Sequence, residues 1–368
     1  MTTRQAALLS LVLTLCSAGA AAAQQIPDPK LTPEPASEKQ TAAVREGVAL
    51  HDRGDFDGAI RRYESVLAEN PSNVLALYEM SYAYTEKKDY RKALEVAMRG
   101  AQYHSEQLDG FYVLMGNNLD LLGETTKAIE VYKKGLKLFP GAGALQFNLA
   151  VAYKNAGKLD DARKTLKDGL VANPQHASSH LLLAVIFFNT GYKAPAFFAA
   201  ARFLTLEPSS QRSPLAARIV SEVLGSGAAP GKNPGEISIT LDYNPKKDEG
   251  DFTTLDTIFG LSAAIAFRDA EKDKGKTEAQ KVVAQMQTVL TVLGEQAEKK
   301  KQSTFTFQYY VPYFIEMKRK GHVEAFVYHA LQSSGLPGAR EWVGANGGRV
   351  MQFLIWSKGY HWPENVKT

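Results

Sequence analysis

The feature of this sequence that most restricts its fold is a pattern that recurs every 34 residues between about residues 40 and 210. Prolines that align in this pattern are Pro71, Pro140, Pro174 and Pro208, spaced 69, 34 and 34 residues apart. A period in this range is typical of stacked structural units, none of which can bury its apolar face alone. The sequence therefore predicts a solenoid in this segment.

Residue types at fixed points of the pattern indicate how one unit folds. Each unit carries a small residue (Gly47, Ser81, Gly116, Ala150, Ala184), later an alanine (Ala59, Ala93, Ala128, Ala162, Ala196), and between them a glycine (Gly54, Gly123, Gly157, Gly191), with Lys88 as the exception. Small residues recur where two helices approach closely, and glycine suits a turn that needs positive φ. Proline follows a helix because it cannot continue one. The unit is therefore predicted to be a pair of antiparallel helices.

On these residues the segment resembles the tetratricopeptide repeat family. The resemblance implies an all-α, right-handed superhelix of helix hairpins, with five repeats and a capping helix over residues 40–225. It also implies that the first helix of each pair lines a concave groove. The residues then predicted to line the groove are Tyr78, Tyr82, Asn117, Asp120, Phe147, Val151, Lys154, Asn155, Leu181 and Asn189.

This predicted lining combines aromatic rings with amides, which suits a peptide. Amides pair with a peptide backbone and rings bury its side chains. Some of these residues could instead contact a neighbouring helix. One subfamily binds acidic C-terminal tails through a clamp of basic and amide residues, but Val44 and Val48 occupy that place here. We expect a peptide or protein partner and no cofactor.

The first residues have the pattern of a secretory signal. Arg4 precedes an apolar run, and small residues follow it up to Ala23. We expect cleavage there, a flexible proline-rich leader over residues 24–39, and a periplasmic or secreted location. The mature chain would then lack cysteine, since Cys16 is the only one. It would also lack a membrane span, and the mixing of its charges argues against nucleic acid as a partner.

Beyond a Gly- and Pro-rich linker at residues 226–235, the sequence predicts a mainly helical domain over residues 236–368 with one short strand. This domain is rich in aromatic residues, which at helical spacing are usually core. An alternative function is therefore an enzyme or an envelope-polymer (carbohydrate) binder that acts around Tyr309, Tyr313, His322 and Trp356. A structural role in an envelope assembly is a third alternative.

One short stretch of this domain raises the question of a metal site. His322, Glu324 and His329 lie within eight residues of one another, in a chain with seven histidines. On a helix, residues seven apart share a face but stand roughly 10 Å apart, too far to bind one metal ion. Glu324 would point to nearly the opposite face. We predict no metal site and no catalytic residues, and therefore an exported interaction scaffold.

Overall fold

The computed structural model describes residues 26–226, 228–230, 237–239, 248–268, 275–299, 302–332 and 337–368. The chain divides into two compact units, Met1–Phe139 and Pro140–Thr368. The described residues are mainly helical, which confirms the predicted all-α fold of helix hairpins. The predicted signal peptide, residues 1–23, lies outside the described residues.

The first unit contains three antiparallel helix hairpins. These are α1 (Glu38–Asp52) with α2 (Phe56–Glu69), α3 (Val74–Glu86) with α4 (Tyr90–Gly100), and α5 (Leu108–Leu121) with α6 (Thr125–Leu138). The first four helices are capped by the side chains of Ser37, Asp55, Asn73 and Asp89, each of which accepts from the backbone N–H three residues on. These caps satisfy N–H groups that have no partner within the helix.

Each hairpin turns through a residue with positive φ. Gly54 and Gly123 both have a φ of 80°, and Lys88 has a φ of 65° at the equivalent position. The left-handed conformation costs a residue other than glycine roughly 1 kcal/mol. The hairpin therefore imposes the turn even where the sequence does not supply glycine.

Small residues of the first helix lie against the second helix, as the pattern predicts. A Cβ atom at Gly47 would overlap the ring of Tyr63, and one at Gly116 would overlap the ring of Tyr132. In the middle repeat, the Ser81 hydroxyl donates to the carbonyl of Ala93 over 2.8 Å. The small residues thus recur at the positions where the two helices of each repeat come close.

The proline-rich leader differs from the predicted flexible segment. The Leu31 amide donates to the carbonyl of Gln102, and the Leu31 carbonyl accepts from the amide of His104. Further along α5 and α6, the Tyr112 hydroxyl donates to the Pro27 carbonyl, and Lys134 pairs with Asp28 at 2.6 Å. The described part of the leader, from residue 26, is therefore bound to the first unit. Its contacts are made largely by backbone groups that no local sequence pattern marks.

The second unit begins with two more hairpins. These are α7 (Gly143–Asn155) with α8 (Leu159–Ala172) and α9 (Ala177–Asn189) with α10 (Lys193–Leu206), followed by α11 (Ser213–Leu224), which packs on α10. Nearly every residue of α10 is buried. A helix that is apolar all round is one enclosed by other elements, and α10 is enclosed by α9, α11 and helices from the C-terminal segment.

The C-terminal segment adds a short sheet and six helices among the described residues. β1 (Ala228–Pro230) pairs antiparallel with β2 (Ile237–Ile239). The helices are α12 (Thr253–Arg268), α13 (Glu278–Lys299), α14 (Phe305–Arg319), α15 (Val323–Ala330), α16 (Ala339–Ala345) and α17 (Gly347–Lys358). The sequence predicts one strand, which corresponds to β2. The additional strand β1 lies within the predicted linker of residues 226–235, most of which is outside the described residues.

Ion pairs join the C-terminal segment to the repeats of the second unit. Arg163 of α8 pairs with Glu249 at 3.0 Å and with Asp248 at 3.0 Å. Lys167 also pairs with Glu249, and the Tyr192 hydroxyl donates to Asp248. Because Glu249 is buried, both cations are needed to offset the loss of its hydration. These bonds fix the chain just before α12 against the repeats.

No helix of the described ranges is both long enough and apolar enough to cross a bilayer.

Candidate functional site

In the first unit, the first helices of successive hairpins contact one another. α1 contacts α3, and α3 contacts α5. The predicted groove residues Tyr78 and Tyr82 lie on α3, and Asn117 and Asp120 lie on α5. Tyr82 is 41% exposed, a large fraction for an aromatic side chain. Its ring is therefore available to a partner.

Two of the predicted groove residues also hold the hairpin together. The Asn117 side-chain oxygen accepts from the Tyr132 hydroxyl over 2.7 Å. Asp120 accepts from the Thr125 hydroxyl over 2.7 Å. These side chains therefore have roles within the repeat, which their positions in the sequence did not indicate. A substitution of Asn117 or Asp120 would therefore disturb the fold of the repeat as well as the predicted groove.

In the second unit the predicted residues differ in exposure. Phe147 and Val151 of α7 are half-buried, whereas Lys154, Asn155 and Asn189 are exposed. The Phe147 ring lies 5.3 Å from the ring of His176. Leu181 departs from the prediction, since it is only 8% exposed. Its side chain packs inside the unit and offers little surface to a partner.

A cluster of polar and aromatic groups on the first two repeats was not predicted from the sequence. The His51 ring, at the end of α1, lies 5.1 Å from the ring of Tyr82 and 5.1 Å from that of Phe56. Glu79 of α3 is half-buried and interacts electrostatically with His51 and Tyr63. Burial raises the pKa of Glu79, an effect that His51 opposes and Asp52 reinforces. Glu79 and Tyr82 are three residues apart, a spacing that places them on one helix face.

Two buried polar atoms of this cluster lack a hydrogen bond within the described part of the chain. They are Nε2 of His51 and the hydroxyl of Tyr63. Tyr132 is equivalent to Tyr63, and its hydroxyl bonds Asn117, the residue after Gly116. In the first repeat the residue after Gly47 is Val48, which has no acceptor in its side chain. This single difference leaves the Tyr63 hydroxyl unpaired beside Glu79.

The rings of His322 and His329 each lie 6.0 Å from the ring of Phe353, but the two side chains have different polar surroundings. His322 precedes α15, and its ring lies 5.3 Å from the ring of Trp356. His329 is buried, and its Nε2 bonds the carbonyl of Thr205 at 3.2 Å. Glu324 pairs with Arg349 at 2.7 Å. Within the described ranges no three His, Cys, Asp or Glu residues are grouped so as to hold a metal ion.

The aromatic residues of the C-terminal segment form a packed cluster around a buried arginine. Arg202 of α10 is 0% exposed, and its guanidinium lies 5.1 Å from the ring of Tyr313 and 4.9 Å from that of Trp362. It donates to the Ser357 hydroxyl over 2.8 Å and to the Gln175 side chain over 3.1 Å. Within the described ranges no carboxylate pairs with it. Aromatic faces and neutral acceptors therefore replace a counter-ion.

His180 of α9 belongs to the same enclosed region. Its Nε2 lies 3.0 Å from the Pro174 carbonyl, which can only accept, so Nε2 carries the proton. Its Nδ1 then accepts from the Tyr310 hydroxyl over 2.7 Å. Burial, together with the nearby charge of Arg202, lowers the pKa of His180 to about 3. His180 is thus a neutral part of the core.

Comparisons with known proteins support the repeats. The tetratricopeptide repeat profile matches residues 50–107 and 121–186. A TPR repeat-containing protein of Methanocaldococcus jannaschii is 27% identical over 117 residues, which are 32% of this chain and 20% of that protein. Tetratricopeptide repeat protein 28 of Mus musculus is 31% identical over 119 residues, 32% of this chain and 5% of that protein. The match thus spans a fifth or less of these relatives' length.

Among solved structures, a thermophilic TPR protein of Thermus thermophilus is 23% identical and has a TM-score of 0.41. The similarity covers 50% of this chain and 99% of that one.

Proposed function

We propose that the protein is an exported scaffold that binds a peptide or protein partner along the first helices of its repeats. Residues 38–206 form five helix hairpins, and the tetratricopeptide repeat profile matches residues 50–107 and 121–186. Helical solenoids use such extended surfaces to bind other chains. The observation that carries the proposal is the exposed ring of Tyr82 on a surface where α1, α3 and α5 succeed one another.

The chemistry of the exposed residues supports a peptide. Tyr82 in the first unit and the half-buried Phe147 in the second each offer an aromatic face. Asn155 and Asn189 add exposed amides, which can donate to and accept from a peptide backbone. Aromatic residues contribute much of the binding energy at protein interfaces. Each unit therefore has an aromatic side chain from which binding energy is expected, Tyr82 in the first and Phe147 in the second.

Capture experiments test this proposal. The immobilised chain is used to capture partners from an extract of the cells that produce it, followed by mass spectrometry. Replacing Tyr82 and Phe147 together by alanine should reduce capture at least about tenfold. Asn117 is left intact because it bonds Tyr132. Leu138→Ala, an exposed apolar change on the second helix α6, is the matched control. Equal capture by the double variant and the control would contradict the proposal.

Export is a separate part of the proposal, and it rests on the apolar and small-residue pattern of residues 1–23. It predicts that the protein isolated from the envelope or medium starts at Gln24. N-terminal sequencing of the isolated protein tests this. A chain that retains residues 1–23 in the cytoplasm would refute export without affecting the binding proposal.

The aromatic C-terminal segment gives no comparable support to an enzyme or a polymer binder. Tyr309 and Tyr313 are buried, and Trp356 stacks on Tyr313 at 5.0 Å. Rings in this arrangement belong to a packed core.

A further inference from the structure

The cluster around Glu79 contains a carboxylate without a hydrogen bond or ion pair among the described residues. That carboxylate, Glu79 itself, is half-buried. The nearby Asp52 carboxylate adds negative charge, and its only ion pair in the described chain is with His51 at 3.7 Å. A carboxylate that loses water without gaining a cation is unfavourable. Among the groups that act on Glu79, His51 alone can carry positive charge.

From this geometry we infer that the cluster formed by His51, Tyr63, Glu79 and Tyr82 is a pocket for a basic side chain of the bound peptide. The inference rests on the proposed function and names the chemistry of the partner. A peptide that covers Glu79 would remove more of its water, so the residue facing Glu79 must carry positive charge to offset that loss.

The remaining groups of the pocket favour arginine over lysine. The Tyr63 hydroxyl and His51 Nε2 are unpaired in the described chain but buried, so a ligand reaches them only if the surrounding side chains move. A guanidinium has five N–H donors in a plane, so it can bind the Glu79 carboxylate through two parallel hydrogen bonds. The exposed face of Tyr82 suits stacking by the same group. Lysine can supply the charge but not the planar set of donors.

The equivalent positions of the third repeat provide an internal control. There the Tyr132 hydroxyl is already bonded to Asn117, and Asn117 belongs to the same repeat. The place that a donor from the peptide would take is thus filled by a side chain of the protein. Of these two repeats, the first, with Val48, leaves its tyrosine hydroxyl unpaired in the described chain, so the basic side chain is assigned to the first.

Selection of random peptides displayed on phage tests the inference on the full chain. Peptides selected by the unaltered protein should be enriched in arginine, and a selected peptide should bind about tenfold more tightly than its variant with glutamine in place of that arginine. Glu79→Gln should abolish this difference. Glu79→Lys should instead select peptides with aspartate or glutamate.

Glu86→Lys serves as the control, since Glu86 is an exposed carboxylate two turns along the same face of α3. It should leave the arginine preference in place. Thermal unfolding of each variant establishes that it is folded. Selected peptides without a basic preference, or a preference unchanged by Glu79→Gln, would overturn this inference alone. Failure to select any peptide would overturn both the inference and the proposed function.

Discussion

The protein has two clusters in which aromatic rings surround a charged side chain, and the clusters differ in the exposure of that side chain and in its partners. In the first unit, Glu79 is half-buried beside the exposed ring of Tyr82 and has no cation as a partner in the described chain. In the second unit, Arg202 is fully enclosed, and Tyr313, Trp362 and neutral acceptors surround its guanidinium.

The difference shows that rings beside a charge do not by themselves indicate a binding site. What separates the clusters is whether a partner can reach them, since Tyr82 is 41% exposed and Arg202 is 0% exposed. Around Arg202 most donors have acceptors, although Nε of Arg202 and Nε1 of Trp362 have none in the described chain. Around Glu79, the Tyr63 hydroxyl and His51 Nε2 are likewise unpaired there, but this cluster adjoins the exposed ring of Tyr82. The first cluster is suited to recognition and the second to stability.

The largest expected effect is on the enclosed cluster. Arg202→Ala removes a buried guanidinium and leaves a cavity between Tyr313 and Trp362, so it should lower the free energy of unfolding by about 3 kcal/mol or more. Arg349→Ala is the matched control, because its half-exposed guanidinium also lies over a ring, Trp342 at 5.3 Å. The control should cost less than about 1 kcal/mol. Denaturant unfolding that gave equal losses for both would show that Arg202 is not a structural centre.

The enclosed cluster should also be sensitive to acid through His180. Its pKa of about 3 in the folded chain lies below the ordinary value of 6.5, so the unfolded chain binds a proton first as the pH falls. The stability that His180 contributes is therefore complete above about pH 6.5 and is lost as the pH falls from there towards 3. Unfolding free energies measured across this range should decline more steeply for the unaltered protein than for His180→Gln. Parallel curves would contradict the assignment.

The smallest expected effect compares two tyrosine hydroxyl groups. Tyr132→Phe removes a hydroxyl bonded to Asn117, so it should lower the unfolding free energy by about 1 kcal/mol. Tyr63→Phe removes a hydroxyl with no partner in the described chain, and its effect should lie within a few tenths of a kcal/mol of zero or be stabilising. Chemical denaturation of both variants measures this. An equal loss would mean that the Tyr63 hydroxyl is satisfied in solution.

The repeats could be predicted from the sequence because their determinants are local. Gly47 and Gly116 mark close helix contacts, and the turn at Gly54 recurs at a fixed distance. The candidate pocket could not be predicted in this way, since His51, Tyr63 and Glu79 come from three helices. The sequence does contain one sign of it. The first repeat has Val48 at the position that Asn117 occupies in the third repeat.

Other features depend on contacts between distant parts of the chain. The leader is held at Leu31 by backbone bonds to the α4–α5 connection, which carry no sequence pattern. Leu181 was assigned to the groove from its position in the repeat, but packing within the second unit buries it.

Site-specific photocrosslinking tests the central claim most directly. A benzophenone amino acid replaces the exposed Tyr82 of α3 or, in a separate variant, the exposed Leu138 of α6. Each full-length variant is expressed in the cells that normally produce the protein. The claim predicts that irradiation joins a partner polypeptide to position 82 and that position 138 gives little or no product. Crosslinking from position 138 alone, or equally from both positions, would contradict it.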